Sequence, residues 1–186
     1  MQLDLSGRHA LVCGASQGIG RASAIELAEL GASVTLVARS ASALKAVAES
    51  LSCAAPGQRH DWRSVDLLDT DGTRAAATEI AASAPVHILI NNTGGPPGGA
   101  AHTAAATEFE TAFRQHLLGS QALLQALLPG MRASGYGRIV NVISTSVKEP
   151  IAGLGVSNTI RAAVAGWAKT LSGELAADGI TVNNVL

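Results

Sequence analysis

The chain has 186 residues, enough for one domain with a sizeable core. Hydrophobic residues make up 47% but aromatics only 3%, so that core must be built from Ala, Val, Leu and Ile. Thirteen basic against fourteen acidic residues give a net charge of -1, with no basic stripe to hold nucleic acid or an anionic membrane. No apolar run approaches the roughly 20 residues of a membrane span, and Met1-Gln2-Leu3-Asp4-Leu5 lacks the basic and apolar regions of a signal peptide. Cys13 and Cys53 are too few and too scattered for a disulfide scaffold or a metal site, so a reducing cytoplasm is the expected location.

In chain order, the apolar run Ala10-Leu11-Val12-Cys13 reads as a strand leading into Gly14-Ala15-Ser16-Gln17-Gly18-Ile19-Gly20. Glycine tolerates positive φ and lets backbone N–H groups approach a pyrophosphate, and a helix N-terminus behind it offers further donors. Strand, glycine loop and helix together form the context of a dinucleotide fingerprint, although glycines also mark ordinary turns. A helix from about Arg21 to Leu30, ended by Gly31, leads to the β-rich run Val34–Ala38. Ala41 to Leu51 reads as helix, Arg59 to Val65 as a weaker strand, and Asp69 as the cap of a helix to about Ala82. Val86–Ile90 is a buried strand opening into the flexible loop Asn91–Gly99. The pattern then predicts a long helix over Thr107–Met131 with Thr107 as N-cap, a strand Arg138–Ile143, a helix Ser157–Ala177 and a strand Ile180–Val185.

Strands and helices alternate throughout, and continuous apolar strands of this kind are buried on both faces. The expected fold is α/β: a doubly wound, mainly parallel sheet with helices on both faces, three layers in all, the Rossmann arrangement. Ligands of such sheets bind beyond the carboxyl ends of the strands, so the loops at Gly14, Arg39, Asp66, Asn92 and Ser144 should converge on one cleft.

Gly14-xxx-Gly18-Ile19-Gly20, Asp66, Asn91-Asn92-Thr93-Gly94 and Gly137-Arg138-Ile139-Val140-Asn141-Val142-Ile143-Ser144 together resemble the short-chain dehydrogenase/reductase family. Within it the chain is most similar to the 3-oxoacyl-(acyl-carrier-protein) reductases, over about Leu5 to Leu186, including the tail Gly179–Val185. The resemblance implies that Gly14, Ser16, Gln17, Gly18, Ile19 and Gly20 hold the pyrophosphate and adenosine ribose. It implies that Asp66 and Leu67 meet the adenine, and that Asn92, Thr93 and Gly94 line the nicotinamide ribose, with Asn92 also bracing the sheet. For each polar residue an ordinary loop or cap role is the alternative. The second strand ends in Ala38 and then Arg39, where an acid would accept from the ribose 2′-hydroxyl of NAD. An arginine fork suits a 2′-phosphate, so NADP(H) is expected in preference to NAD(H).

The family's catalytic set is Asn, Ser, Tyr and Lys, and Ser144 matches its serine. Counting thirteen on from Ser144 reaches Ser157 in place of tyrosine, and four more reaches Arg161 in place of lysine. His116 stands at the asparagine position. Serine is far less acidic than a phenol, and an arginine stays protonated and relays protons poorly. Ser144 is then expected to hold the substrate oxygen, with His116 or a water supplying the proton, and Arg161 to reach the nicotinamide ribose. A histidine satisfied within its helix is the plainer reading of His116. Tyr136, the sole tyrosine, precedes its strand and should lie at the opposite edge of the sheet.

The resemblance implies an NADP(H)-dependent oxidoreductase acting on a small carbonyl or alcohol, and a homodimer or homotetramer. A nucleotide-binding protein that has lost catalysis, or a structural partner joined through the long helices, are the competing readings. Relatives continue past the last strand with a substrate-covering segment, and a bare edge strand invites pairing; 1–186 is thus expected to be a single dinucleotide-binding domain of a longer chain whose last strand is missing.

Overall fold

The computed structural model describes residues 3–186; Met1 and Gln2, which open the stretch read above for a signal peptide, lie outside them. Six parallel strands form one sheet in the order β3-β2-β1-β4-β5-β6: β1 His9–Cys13, β2 Ser33–Ala38, β3 His60–Ser64, β4 Ile88–Asn91, β5 Gly137–Val142 and β6 Ile180–Val185. The helices between them are α1 Gly18–Glu29, α2 Ala41–Ser50, α3 Thr70–Ser83, α4 Ala106–Phe113, α5 Gly119–Ala133 and α6 Gly155–Glu174.

Successive side chains of a strand point to opposite faces, and here both faces are apolar. On β1, Leu11 and Cys13 join the core beneath α3, α5 and α6, while Ala10 and Val12 join the core beneath α1 and α2. The chain runs outward from β1 to β3, returns, and runs outward the other way from β4 to β6. The loops leaving β1 and β4 therefore part to opposite sides, opening a crevice at the carboxyl ends of the two central strands.

Three boundaries differ from the sequence reading for identifiable reasons. The first helix begins at Gly18, inside the glycine motif, because Gly14 and Gly18 turn the chain at φ 60° and 56°. The expected helix over Thr107–Met131 is two helices joined by a π-helical turn, Arg114–Leu118. Thr107 is not its cap: Ala105 is, and the Glu108 carboxylate accepts from Ala105 N at 2.8 Å, so the helix starts at Ala106 and its cap stands two residues earlier than expected. The last helix ends at Glu174 and a 3₁₀ turn carries the chain to Gly179, which takes φ 72°.

Two side-chain ties set the site's geometry. The Asn91 amide donates to Asn141 Oδ1 at 2.8 Å and the Asn141 amide to Asn184 Oδ1 at 3.0 Å, a ladder across β4, β5 and β6 just before the strand ends. The Asn92 amide donates to Cys13 O at 3.3 Å and Gly14 O at 3.5 Å, fastening the loop after β4 to the loop after β1. Tyr136 lies at the other end of the strands, its ring between the guanidinium groups of Arg8 and Arg138 at 3.9 and 4.0 Å.

Candidate cofactor and substrate site

At the carboxyl ends of the strands a cavity of about 720 Å³ runs across the crevice. One wall is the glycine loop, with Gly14, Ser16, Gln17, Gly18 and Ile19. Gly20 does not line the cavity; it is buried behind the loop, where a Cβ would sit 2.3 Å from Gly14 O. Without a Cβ there the first turn of α1 can press against the loop, and the N-terminal residues of that helix, Gly18 and Ile19, line the cavity.

Arg39 and Ser40 close one end. Arg39 is exposed and makes no ion pair among the described residues. Ser40 was not anticipated as a cavity residue, though a serine before an apolar helical run is an N-cap signal; its hydroxyl accepts from Ala43 N at 3.4 Å. Guanidinium and helix N-terminus together favour an anion here. Asp66 and Leu67 line the same stretch, with Asp66 Oδ1 accepting from Leu68 N at 3.1 Å. At the far end stand Asn92, Thr93, Gly94 and Gln115. Gln115, missed from the sequence, comes from the π turn and donates to Gly94 O at 3.5 Å.

The remaining site residues lie beside this cavity rather than on its wall. Ser144, half-buried just past β5, accepts from Ser146 N at 3.1 Å, which leaves its own O–H free to donate. Ser157 is half-buried in the first turn of α6. The loop expected to be flexible is tied to that turn: Gly99 N donates to Gly153 O at 2.6 Å and Gly155 N to Gly99 O at 2.9 Å. Lys148 is exposed. Among the described residues no group of three His, Cys, Asp or Glu is placed to hold a metal ion.

Arg161 and His116 are both buried, at 8% and 3% exposure. The Arg161 guanidinium donates to Val142 O at 2.9 Å and Thr93 O at 3.5 Å, bridging the ends of β5 and β4. No carboxylate pairs with it among the described residues. The His116 ring is hydrogen-bonded to Thr93 and makes no hydrogen bond to Ser144 among the described residues, and it is not satisfied within its own helix. Its Nδ1 is hydrogen-bonded to Thr93 Oγ1, and its Nε2 is enclosed with no partner. Burial, and then the neighbouring Arg161 cation, push its pKa from 6.5 down to about 4, so the ring is neutral at pH 7.

That depression has a measurable consequence. The unfolded chain takes up the proton below about pH 6.5 while folded His116 resists it until about pH 4, so stability is full above 6.5 and falls as pH drops through this window. The loss is on the order of 3 kcal/mol. Burial lowers His9 and His87 in the same direction. Urea unfolding between pH 7.5 and 4 should therefore show a steep decline that His116→Gln makes shallower without abolishing.

The comparisons with known proteins bear on the family and the fold. The family model described as short chain dehydrogenase matches residues 8–186. The chain is 30% identical over 182 residues to the ketoacyl reductase HetN of Nostoc sp. PCC 7120, covering 97% of this chain and 63% of that protein. It is 32% identical over 186 residues to the 3-oxoacyl-[acyl-carrier-protein] reductase FabG of Vibrio harveyi, covering 98% and 73% respectively. Among solved structures, L-sorbose reductase from Gluconobacter frateurii, complexed with NADPH and L-sorbose, superposes with a TM-score of 0.93 at 32% identity, over 99% of this chain and 70% of that one. A metagenomic short-chain oxidoreductase in complex with NADP gives 0.88 at 34%, over 97% and 80%. The chain thus spans about two thirds of the length of the curated relatives it matches.

Proposed function

The chain belongs to the short-chain dehydrogenase family, and on that premise we propose that it is an NADP(H)-dependent oxidoreductase acting on a carbonyl/alcohol pair, with a 3-oxoacyl-like substrate as the first to try. The observation that carries the cofactor is the elongated cavity with an anion-favouring glycine loop along one wall and unpaired Arg39 at one end. Its volume of about 720 Å³ suits a dinucleotide. The first-turn N–H groups of α1 would hold the pyrophosphate, Arg39 with the α2 N-terminus the 2′-phosphate, and Asp66 and Leu67 the adenine edge. Asn92, Thr93 and Gly94 would face the nicotinamide riboside. A bound NADP(H) would supply or accept the hydride.

The substrate oxygen is assigned to the Ser144 hydroxyl, whose proton is not taken by the protein. The proton is assigned to water rather than His116, because that ring is neutral, enclosed and bonded to Thr93. Arg161 holds strand ends instead of relaying protons, and Ser157 supplies at most a weakly acidic hydroxyl. Turnover should accordingly be slow. A second reading, a nucleotide-binding protein without turnover, is favoured by the same loss of acid groups, and a structural partner of an active relative remains the reading without a ligand. Homo-oligomerisation as a dimer or tetramer belongs to the proposal.

The test is carbonyl-dependent NADPH oxidation by the wild-type chain and by Ser157→Tyr/Arg161→Lys together. The proposal expects a slow wild-type rate that the double variant raises by roughly 10²-fold or more, the usual contribution of a positioned acid. NADPH binding without any wild-type turnover would leave the sensor reading. No binding of nucleotide at all would leave the structural one.

A further inference from the structure

We propose that the Thr93 hydroxyl is a hydrogen-bond donor to an oxygen acceptor in the nicotinamide riboside half of the dinucleotide, and that His116 is the positioning residue that orients it. The inference rests on the NADP(H) reading above and names the donor at that end of the same cavity.

Thr93 lines the end of the cavity remote from Arg39. Its Oγ1 has one protein partner, His116 Nδ1. A neutral imidazole carries a single N–H, on Nδ1 or on Nε2. Nε2 is enclosed and has no partner. An N–H buried without an acceptor is rare and costly in folded proteins, whereas an unfilled acceptor lone pair is tolerated more readily. The proton therefore sits on Nδ1, and Thr93 Oγ1 accepts it. A hydroxyl that accepts from His116 keeps its own O–H to give, and no described residue takes it. The cavity is where it can be spent.

The threonine is held for this from three sides. Arg161 donates to its carbonyl oxygen at 3.5 Å and to Val142 O at 2.9 Å. The adjoining Asn92 is fastened to Cys13 O and Gly14 O. His116 itself lies in the π turn, and its carbonyl accepts from Ser120 Oγ at 2.8 Å. His116 and Arg161, which replace the family's asparagine and lysine, thus both converge on Thr93.

Thr93→Val keeps the shape and removes the donor. Calorimetric titration of it with NADPH should show affinity lowered about tenfold, the worth of one hydrogen bond. Titration with 2′,5′-ADP, which lacks the nicotinamide riboside, should stay within about twofold of wild type on the same reasoning. Thr93→Ser should restore NADPH affinity, and ¹⁵N NMR of the histidine rings should find His116 as the Nδ1–H tautomer. Equal NADPH affinity in Thr93→Val, a parallel loss for both ligands, no rescue by serine, or a proton on Nε2 would each overturn the inference. A wild-type chain that binds neither ligand overturns the NADP(H) reading and the inference with it, which separates the two failures.

Discussion

Gly14→Ala should abolish dinucleotide binding, raising the dissociation constant for NADPH by at least about 100-fold, while the chain still folds. Two costs coincide at this position. Gly14 holds φ 60°, a left-handed conformation that costs an alanine roughly 1–2 kcal/mol. A Cβ there would also lie 2.6 Å from Asn92 O and 2.7 Å from Asn92 Nδ2. The loop after β1 and the loop after β4 are thereby forced apart at the switch point, and both form walls of the cavity. A total loss of about 2–4 kcal/mol corresponds to a melting temperature lower by roughly 10 °C in a chain of this size. Gly7→Ala supplies the control, since Gly7 also has positive φ, at 75°, but would meet nothing within 4 Å and does not line the cavity. It should lose about 1 kcal/mol of stability and no affinity. Calorimetry and thermal melts of the two variants check both halves, and unchanged NADPH binding by Gly14→Ala would remove the glycine loop from the site.

Arg39→Ala should lower NADPH affinity by about 10- to 30-fold, the worth of a charge-assisted hydrogen bond partly screened by solvent. NADH affinity should not change, because the residue is assigned to the 2′-phosphate alone. The NADPH loss should also shrink as salt is raised, since the guanidinium is exposed. Equal losses for both nucleotides would mean that Arg39 shapes the loop instead of reading the phosphate.

What the sequence disclosed and what it hid divide along a physical line. The apolar run Ala10–Cys13, the glycine loop and the strand-end residues are local patterns, and local patterns are set by strand geometry and turn chemistry. Those strands assemble as expected, and the cavity forms where the topology requires. The π turn was invisible because helical periodicity continues on both sides of it. The Asn91–Asn141–Asn184 ladder depends on the register of strands distant in sequence, which no single strand encodes. The pairing of His116 with Thr93 joins residues 23 apart through a loop and a helix, and histidine alone does not announce its partner. Arg161 is expected from the sequence to reach the ribose; its hydrogen bonds within the protein go to Val142 O, at the end of β5, and to Thr93 O, in the loop after β4, contacts between segments distant in sequence that its own helix does not encode. Most of the residues that line the cavity were thus legible, whereas Ser144, Ser157, Arg161 and His116, which lie beside it, were legible only as a match to or a departure from a family pattern.

The central claim is that this crevice is an NADP(H) cradle, and side-by-side calorimetric titration of the wild-type chain with NADPH and NADH tests it most directly. The account predicts one NADPH per chain, bound at least about tenfold more tightly than NADH. Binding of NADH as tight as that of NADPH, or of neither nucleotide, would contradict it.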